Sequence, residues 1–152
     1  MRTALRQLLS HDGKVVRLIR TRIPNAIAIY AIGSQVQGTA GPDSDLDLAV
    51  LVEGYADPLA LWDAAGSLAD IVDCPVDLLD LRAASTVMQY QVITAGQSLG
   101  AAGVQAGLFE CYVLSEKMAL DTARAPLMAD IAANGSIYSG IYPLGLDPRM
   151  TR

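Results

Sequence analysis

Cysteine, histidine and the large aromatics are scarce in this sequence, and each shortage argues against a class of function. The two cysteines, Cys74 and Cys111, have no CxxC spacing, which speaks against a disulfide framework or a zinc site and fits a reducing compartment. His11 is the single histidine, so one chain offers neither a Ser-His-Asp triad nor a multi-histidine metal site. It reads as a surface or helix-cap residue. With one Trp and one Phe, Trp62 and Phe109 read as core or interface packing rather than as a base-stacking platform. No Gly-x4-Gly-Lys-Ser/Thr run occurs, so this is not a P-loop protein. Positive charge is short too. Eleven Lys and Arg against 16 Asp and Glu leave a net charge of −5 at pH 7. No broad face is left to neutralise phosphates, and direct nucleic-acid binding is not expected. Apolar runs are only of strand length, which predicts no membrane span. Met1 to Ser10 lacks the apolar centre of a signal peptide, and a cytoplasmic location is expected.

What is present is an ordinary globular composition, 52% hydrophobic over 152 residues, which suits one domain. That domain is expected over residues 1–133, with C-terminal helices over 104–133 broken near Pro126. An irregular tail over 134–152 bears Gly, Pro and Tyr without periodicity. Ala4-Leu5, Leu8-Leu9, Val15-Val16 and Leu18-Ile19 recur at helical spacing, with Gly13 dividing the run. Three apolar runs predict strands: Ala26 to Ile32, Asp45 to Val52 and Pro75 to Leu81. Leu59 to Val72 and Ala83 to Ala95 predict helices, the first started by Asp57-Pro58 and the second ended by Gly96. Gln97 to Gly103 predicts a short edge strand. Cys74 and Cys111 read as small buried hydrophobes. Strands alternating with helices give an α/β sheet covered by helices, with strand direction left open.

The candidate chemistry sits at two strand ends. Gly33 follows the first strand directly and Ser34 opens a short helix predicted over Gln35 to Ala40. A glycine there allows close backbone approach to a ligand, and free N–H groups with a hydroxyl suit a phosphate. Asp45 and Asp47 flank Leu46. Strand alternation places both carboxylates on one face, roughly 6–7 Å apart along it, with Leu46, Leu48 and Val50 on the other. Paired carboxylates repel, and oxygen-only ligands that welcome a divalent cation favour Mg²⁺ or Mn²⁺. Asp77 lies inside the third strand and becomes a third ligand if that strand neighbours the second. Asp80, three residues on, faces the other way and reads as a helix cap. Three carboxylates facing a phosphate-binding turn suit metal-assisted phosphoryl chemistry, with Asp77 also the candidate general base.

Gly33-Ser34, ten residues, then Asp45-Leu46-Asp47 has the spacing of the polymerase-beta-like nucleotidyltransferases. More closely, AIGSQVQGTAGPDSDLDLAVLV followed by CPVDLLDL resembles the minimal nucleotidyltransferase (MNT) family, antitoxins paired with HEPN ribonuclease toxins. The resemblance covers Ala26 to Leu81. It implies a mixed nucleotidyltransferase-type sheet of the α+β kind, flanked by helices, with a helical C-terminal part. It implies ATP held at Gly33 and Ser34, and Mg²⁺ held by Asp45, Asp47 and Asp77. It further implies AMP transfer to a tyrosine of a cognate HEPN toxin within a hetero-oligomeric complex. The same site would serve a transferase acting on a small molecule such as an aminoglycoside, and a degenerate site would leave an antitoxin that acts by complex formation alone. Such proteins often carry Arg at the first or third position after Gly-Ser, where this chain has Gln35 and Gln37. A neutral amide loses the charge-assisted contact, so either Lys14, Arg17, Arg20 or Arg22 supplies the charge or nucleotide binding is weakened.

Overall fold

The computed structural model describes residues 3–38, 41, 44–101 and 103–134. Nearly all of the expected tail lies outside them. Two compact units are present, Met1–Val113 and Leu114–Arg152. The first contains the sheet. Helices α1 (Thr3–Leu8) and α2 (Lys14–Arg22) meet at Gly13, which is the N-cap of α2. Strand β1 (Ala26–Ile32) is followed by the one-turn helix α3 (Ser34–Gln37) and strand β2 (Leu46–Val52). Helix α4 (Pro58–Val72) starts as its sequence asks, with the Asp57 carboxylate accepting from the Leu59 N–H and Pro58 in the first turn. It ends at Asp73 in the left-handed region, φ 56°. Strand β3 (Val76–Asp80), a 3₁₀ turn at Leu81–Ala83, helix α5 (Thr86–Ala95) and strand β4 (Gln97–Ala101) follow. Gly96 caps α5, as expected.

The sheet is mixed, in the order β3-β2-β1-β4. β1 runs antiparallel to β2 and to β4, while β2 and β3 are parallel. The expected edge strand is therefore β4, and the nucleotidyltransferase-type mixed sheet flanked by helices is the observed architecture. Strand alternation sorts the core into two layers. Leu46, Leu48, Val50 and Val52 join Ile29, Val15, Ile19 and Leu68 on the α2 and α4 side. Ala49 and Leu51 join Tyr30, Leu81, Val92 and Phe109 on the α5 side. β2 is buried almost throughout, so a one-residue slip would bring Asp47 into an apolar layer; its register is thereby fixed. On the α5 side the Tyr30 hydroxyl donates to Glu110 Oε1 at 2.6 Å. Burial first, then the Glu110 carboxylate, raise the phenol well above its ordinary value of 10.0.

Helix α6 (Gly103–Asn134) is one continuous helix with Pro126 inside it. This corrects the expected break. A proline removes one helical hydrogen bond, and the strong helix formers around it, Ala123-Arg124-Ala125 and Leu127-Met128-Ala129, carry the helix through. Within the second unit, Lys117 and Asp121 pair one turn apart at 2.7 Å. Other readings change as well. Of the core or interface packing read for both, Trp62, 79% exposed, is left with the interface alternative, whereas Phe109, 6% exposed, is core. Cys111 is exposed on α6, and Cys74, in the bend after α4, is half-buried against the core.

Asp80 is a structural acid. One carboxylate oxygen accepts from the Ala56 N–H at 2.9 Å and the other from the Arg82 N–H at 3.1 Å. Asp80→Ala orphans both donors and is expected to lower stability by about 1–2 kcal/mol, read as an earlier midpoint in urea denaturation.

Candidate active site

The mixed sheet gathers the sequence-predicted residues in one row across three strands. Asp47 lies opposite Ile32 of β1 on one side and opposite Asp77 of β3 on the other. Gly33 follows Ile32 directly, so Gly33, Asp47 and Asp77 share one end of the sheet. Asp47 and Asp77 occupy matching positions of a parallel ladder, which places both carboxylates on the face of Ala49 and Leu79. Asp45 sits one residue before β2, not inside it, and is exposed, as is Asp77. Ser34 is the first residue of α3; its side chain lies outside the described residues.

Gly33 has to be glycine for two reasons. Its φ is +83°, and an added Cβ would stand 2.7 Å from Asp47 Oδ2. The backbone after β1 therefore presses directly against the central carboxylate. That carboxylate is under stress. Partial burial, then the Asp77 charge, then the Asp45 charge raise the Asp47 pKa above its ordinary 3.8. This is the electrostatic signature of an oxygen-rich site that a divalent cation would relieve, and the all-carboxylate donor set fits Mg²⁺ or Mn²⁺. Among the described residues the acids do not close into a tight three-ligand cluster.

Gly33 and Asp47 also line a cleft of about 380 Å³, whose other wall is one stripe of α5: Met88, Gln91, Val92 and Ala95. That volume lies in the range of small-molecule sites. The α5 stripe was missed in the sequence. Its i, i+3, i+4, i+7 spacing was visible there, but nothing in it said that this stripe faces Gly33.

The expected cations are elsewhere. Lys14 and Arg17 line a separate cleft with α1, and Arg20 lies against Gly100 of β4. None of them lines the Gly33–Asp47 cleft, whose one formally charged residue among those described is Asp47. Gln35 differs from its reading as a weakened phosphate contact. It is 5% exposed and its amide donates to the Ser44 carbonyl at 3.1 Å. His11 is exposed, with Nδ1 3.1 Å from the Leu99 carbonyl, away from this chemistry.

Comparison with known proteins agrees with the geometry. The family described as polymerase beta, nucleotidyltransferase matches residues 14–101. The protein adenylyltransferase MntA of Shewanella oneidensis is 39% identical over 124 residues, 82% of this chain and 89% of that protein. A crystal structure of a toxin–antitoxin with AMP-PNP aligns with TM-score 0.70 and 39% identity, over 78% of this chain and 96% of that one. A second, the tri-AMPylated Shewanella oneidensis HEPN toxin in complex with MNT antitoxin, aligns with TM-score 0.65 and 34% identity, over 80% and 96%.

Two outcomes are expected of the site without metal. Gly33→Ala forces a side chain into the left-handed region and against Asp47, lowering stability by about 1–2 kcal/mol in chemical denaturation. Asp47 has a raised folded pKa, so its ionisation opposes folding. The penalty is absent well below its ordinary value of 3.8 and develops as pH rises from there through the raised value. Asp47→Asn is therefore expected to melt above the parent protein at neutral pH, with the difference vanishing in acid; an equal difference at both pH values would contradict this origin.

Proposed function

This chain belongs to the polymerase-beta nucleotidyltransferase family, in its minimal, MntA-like branch, and from that premise we propose that it is an antitoxin that transfers AMP from ATP to a tyrosine of a cognate HEPN toxin. The observation that carries the reading is the row Gly33, Asp47, Asp77, with the central carboxylate crowded by acidic neighbours and open to a cleft of small-molecule size. The relatives support the partner: one is a protein adenylyltransferase, and another was solved bound to an AMPylated HEPN toxin. An ATP analogue in a third supports the nucleotide.

In this reading the backbone at Gly33 and the N-terminal end of α3, from Ser34, lie along the phosphates. Asp45 and Asp47 would hold Mg²⁺, with Asp77 as a third ligand. The cation, when bound, neutralises phosphate charge and the charge that develops on the leaving group. Asp77 accepts the proton of the tyrosine hydroxyl. The phenolic oxygen forms a bond to the α-phosphorus, the bond between the α-phosphorus and the bridging oxygen to the β-phosphate breaks, and pyrophosphate departs. The α5 stripe of Met88, Gln91, Val92 and Ala95 shields one side of the cleft from water. Among the described residues no helix is long and apolar enough to cross a membrane.

Incubated with its partner, ATP and Mg²⁺, the protein is expected to add AMP mass units to the toxin. The double variant Asp45→Asn/Asp47→Asn is expected to lower that rate by at least about a thousandfold, read by intact-mass spectrometry. A folded double variant that still silences the toxin in cells would instead mean neutralisation by complex formation alone.

A further inference from the structure

The site has a support that the motif does not announce. We propose that Gln35 is a positioning residue: its buried amide ties the Ser44–Asp45 segment to α3, and so sets Asp45 beside Asp47 and presets the affinity of the pair for a divalent cation. This rests on the nucleotidyltransferase reading and specifies which residue assembles its metal-binding half.

Two buried polar side chains occur among the described residues, Gln35 at 5% and Gln89 at 6% exposure. A buried amide is costly unless it is hydrogen-bonded, and both glutamines spend their N–H donors on loop carbonyls. Gln89 holds the Leu81 and Arg82 carbonyls of the 3₁₀ turn. Gln35 holds the carbonyl of Ser44, the residue before Asp45. The acceptor is a carbonyl, so the amide nitrogen must face it; this settles the orientation of the side chain.

Among the described residues, the other hydrogen bonds of the turn are internal to it. Ser44 N–H donates to the Gly41 carbonyl at 3.2 Å, and Gly41 N–H to Ser44 Oγ at 2.8 Å. On the far side of Asp45, the Leu46 N–H donates to the Pro75 carbonyl at 2.9 Å. Asp45 thus hangs between two fixed points. One belongs to the β3 side of the sheet, and the other is the Gln35 amide, next to the Gly33 turn. The two halves of the motif, separated by ten residues in sequence, are joined through this bond. Asp45 itself is exposed, so no packing of its own fixes it. A side chain buried to this degree and aimed at Ser44 is not available to a phosphate, so its effect on the reaction passes through Asp45.

Gln35→Met keeps volume and loses the donor. Gln35→Glu keeps shape and puts an acceptor against the Ser44 carbonyl. Both are checked for folding by circular dichroism. Mn²⁺ binding, read by electron paramagnetic resonance, is expected to weaken roughly 10–100-fold in either variant, as for other residues that orient ligands from behind. AMP transfer to the partner is expected to fall at low metal and to recover when Mn²⁺ is raised, with the KM for ATP at saturating metal unchanged. Parent-like Mn²⁺ affinity in a folded variant overturns the proposal, as does a parent protein that binds no Mn²⁺. Unfolding of both variants overturns it too, making Gln35 a core amide only. A parent that transfers no AMP while Mn²⁺ binding still depends on Gln35 sinks the transferase reading and leaves the positioning role standing.

Discussion

Everything at the active end of this molecule depends on two carboxylates being held in register against their mutual repulsion. In a parallel ladder, neighbouring strands stand about 4.8 Å apart, and Asp47 and Asp77 occupy facing positions in it. At such separation the interaction of like charges is substantial even in a fairly polar surrounding. The sheet does not relax it. β2 carries leucines and valines on one face and Ala49 and Leu51 on the other, all buried, so any slip that separated the acids would drive polar groups into an apolar layer. The core enforces both the partial burial of Asp47 and its crowding by Asp77, and these, in that order, raise its pKa above that of a free carboxyl.

Around that pair the structure divides its polar groups into those that hold backbone and those left open. Asp80 is only three residues from Asp77, but alternation turns it to the opposite side, where both its oxygens accept backbone N–H groups. Arg82, which follows, donates from Nε and Nη2 to the Val52 carbonyl and lies 5.1 Å over the Phe109 ring. Of the two buried glutamines, Gln35 holds the loop next to the acidic row and Gln89 the turn that follows β3. Asp45 and Asp77 are exposed at the surface.

Much of this was legible in the sequence because the signals were local. The Asp57-Pro58 start of α4 and the Gly96 end of α5 follow from single residues whose backbone preferences are strong. The Gly-Ser turn and the acid pair were found by spacing, and their shared sheet end by family resemblance. What could not be read depends on contacts distant in sequence. The direction of β2 relative to β3, and hence the pairing of Asp47 with Asp77, is set by packing against α4. Gln35 looked like a lost phosphate ligand because position in a motif says nothing about which way a side chain turns. Trp62 read as core or interface, and the sequence could not choose between them because size predicts burial only on average; α4 presents it outward. Pro126 looked like a break, but one missing hydrogen bond does not outweigh a strong helical context.

The close approach of Gly33 to Asp47 has a consequence for how this protein can change. Every other residue type brings a Cβ, and a Cβ at this place meets Asp47 Oδ2 in a backbone conformation that side chains rarely adopt. The nearest atom is the tip of a side chain, which can swing aside, so the cost of replacing the glycine lies chiefly in the backbone conformation, which Asn and Asp tolerate better than other residues. Whatever replaces it, the group that has to make room is the central carboxylate itself, so drift at this glycine is felt at Asp47 first.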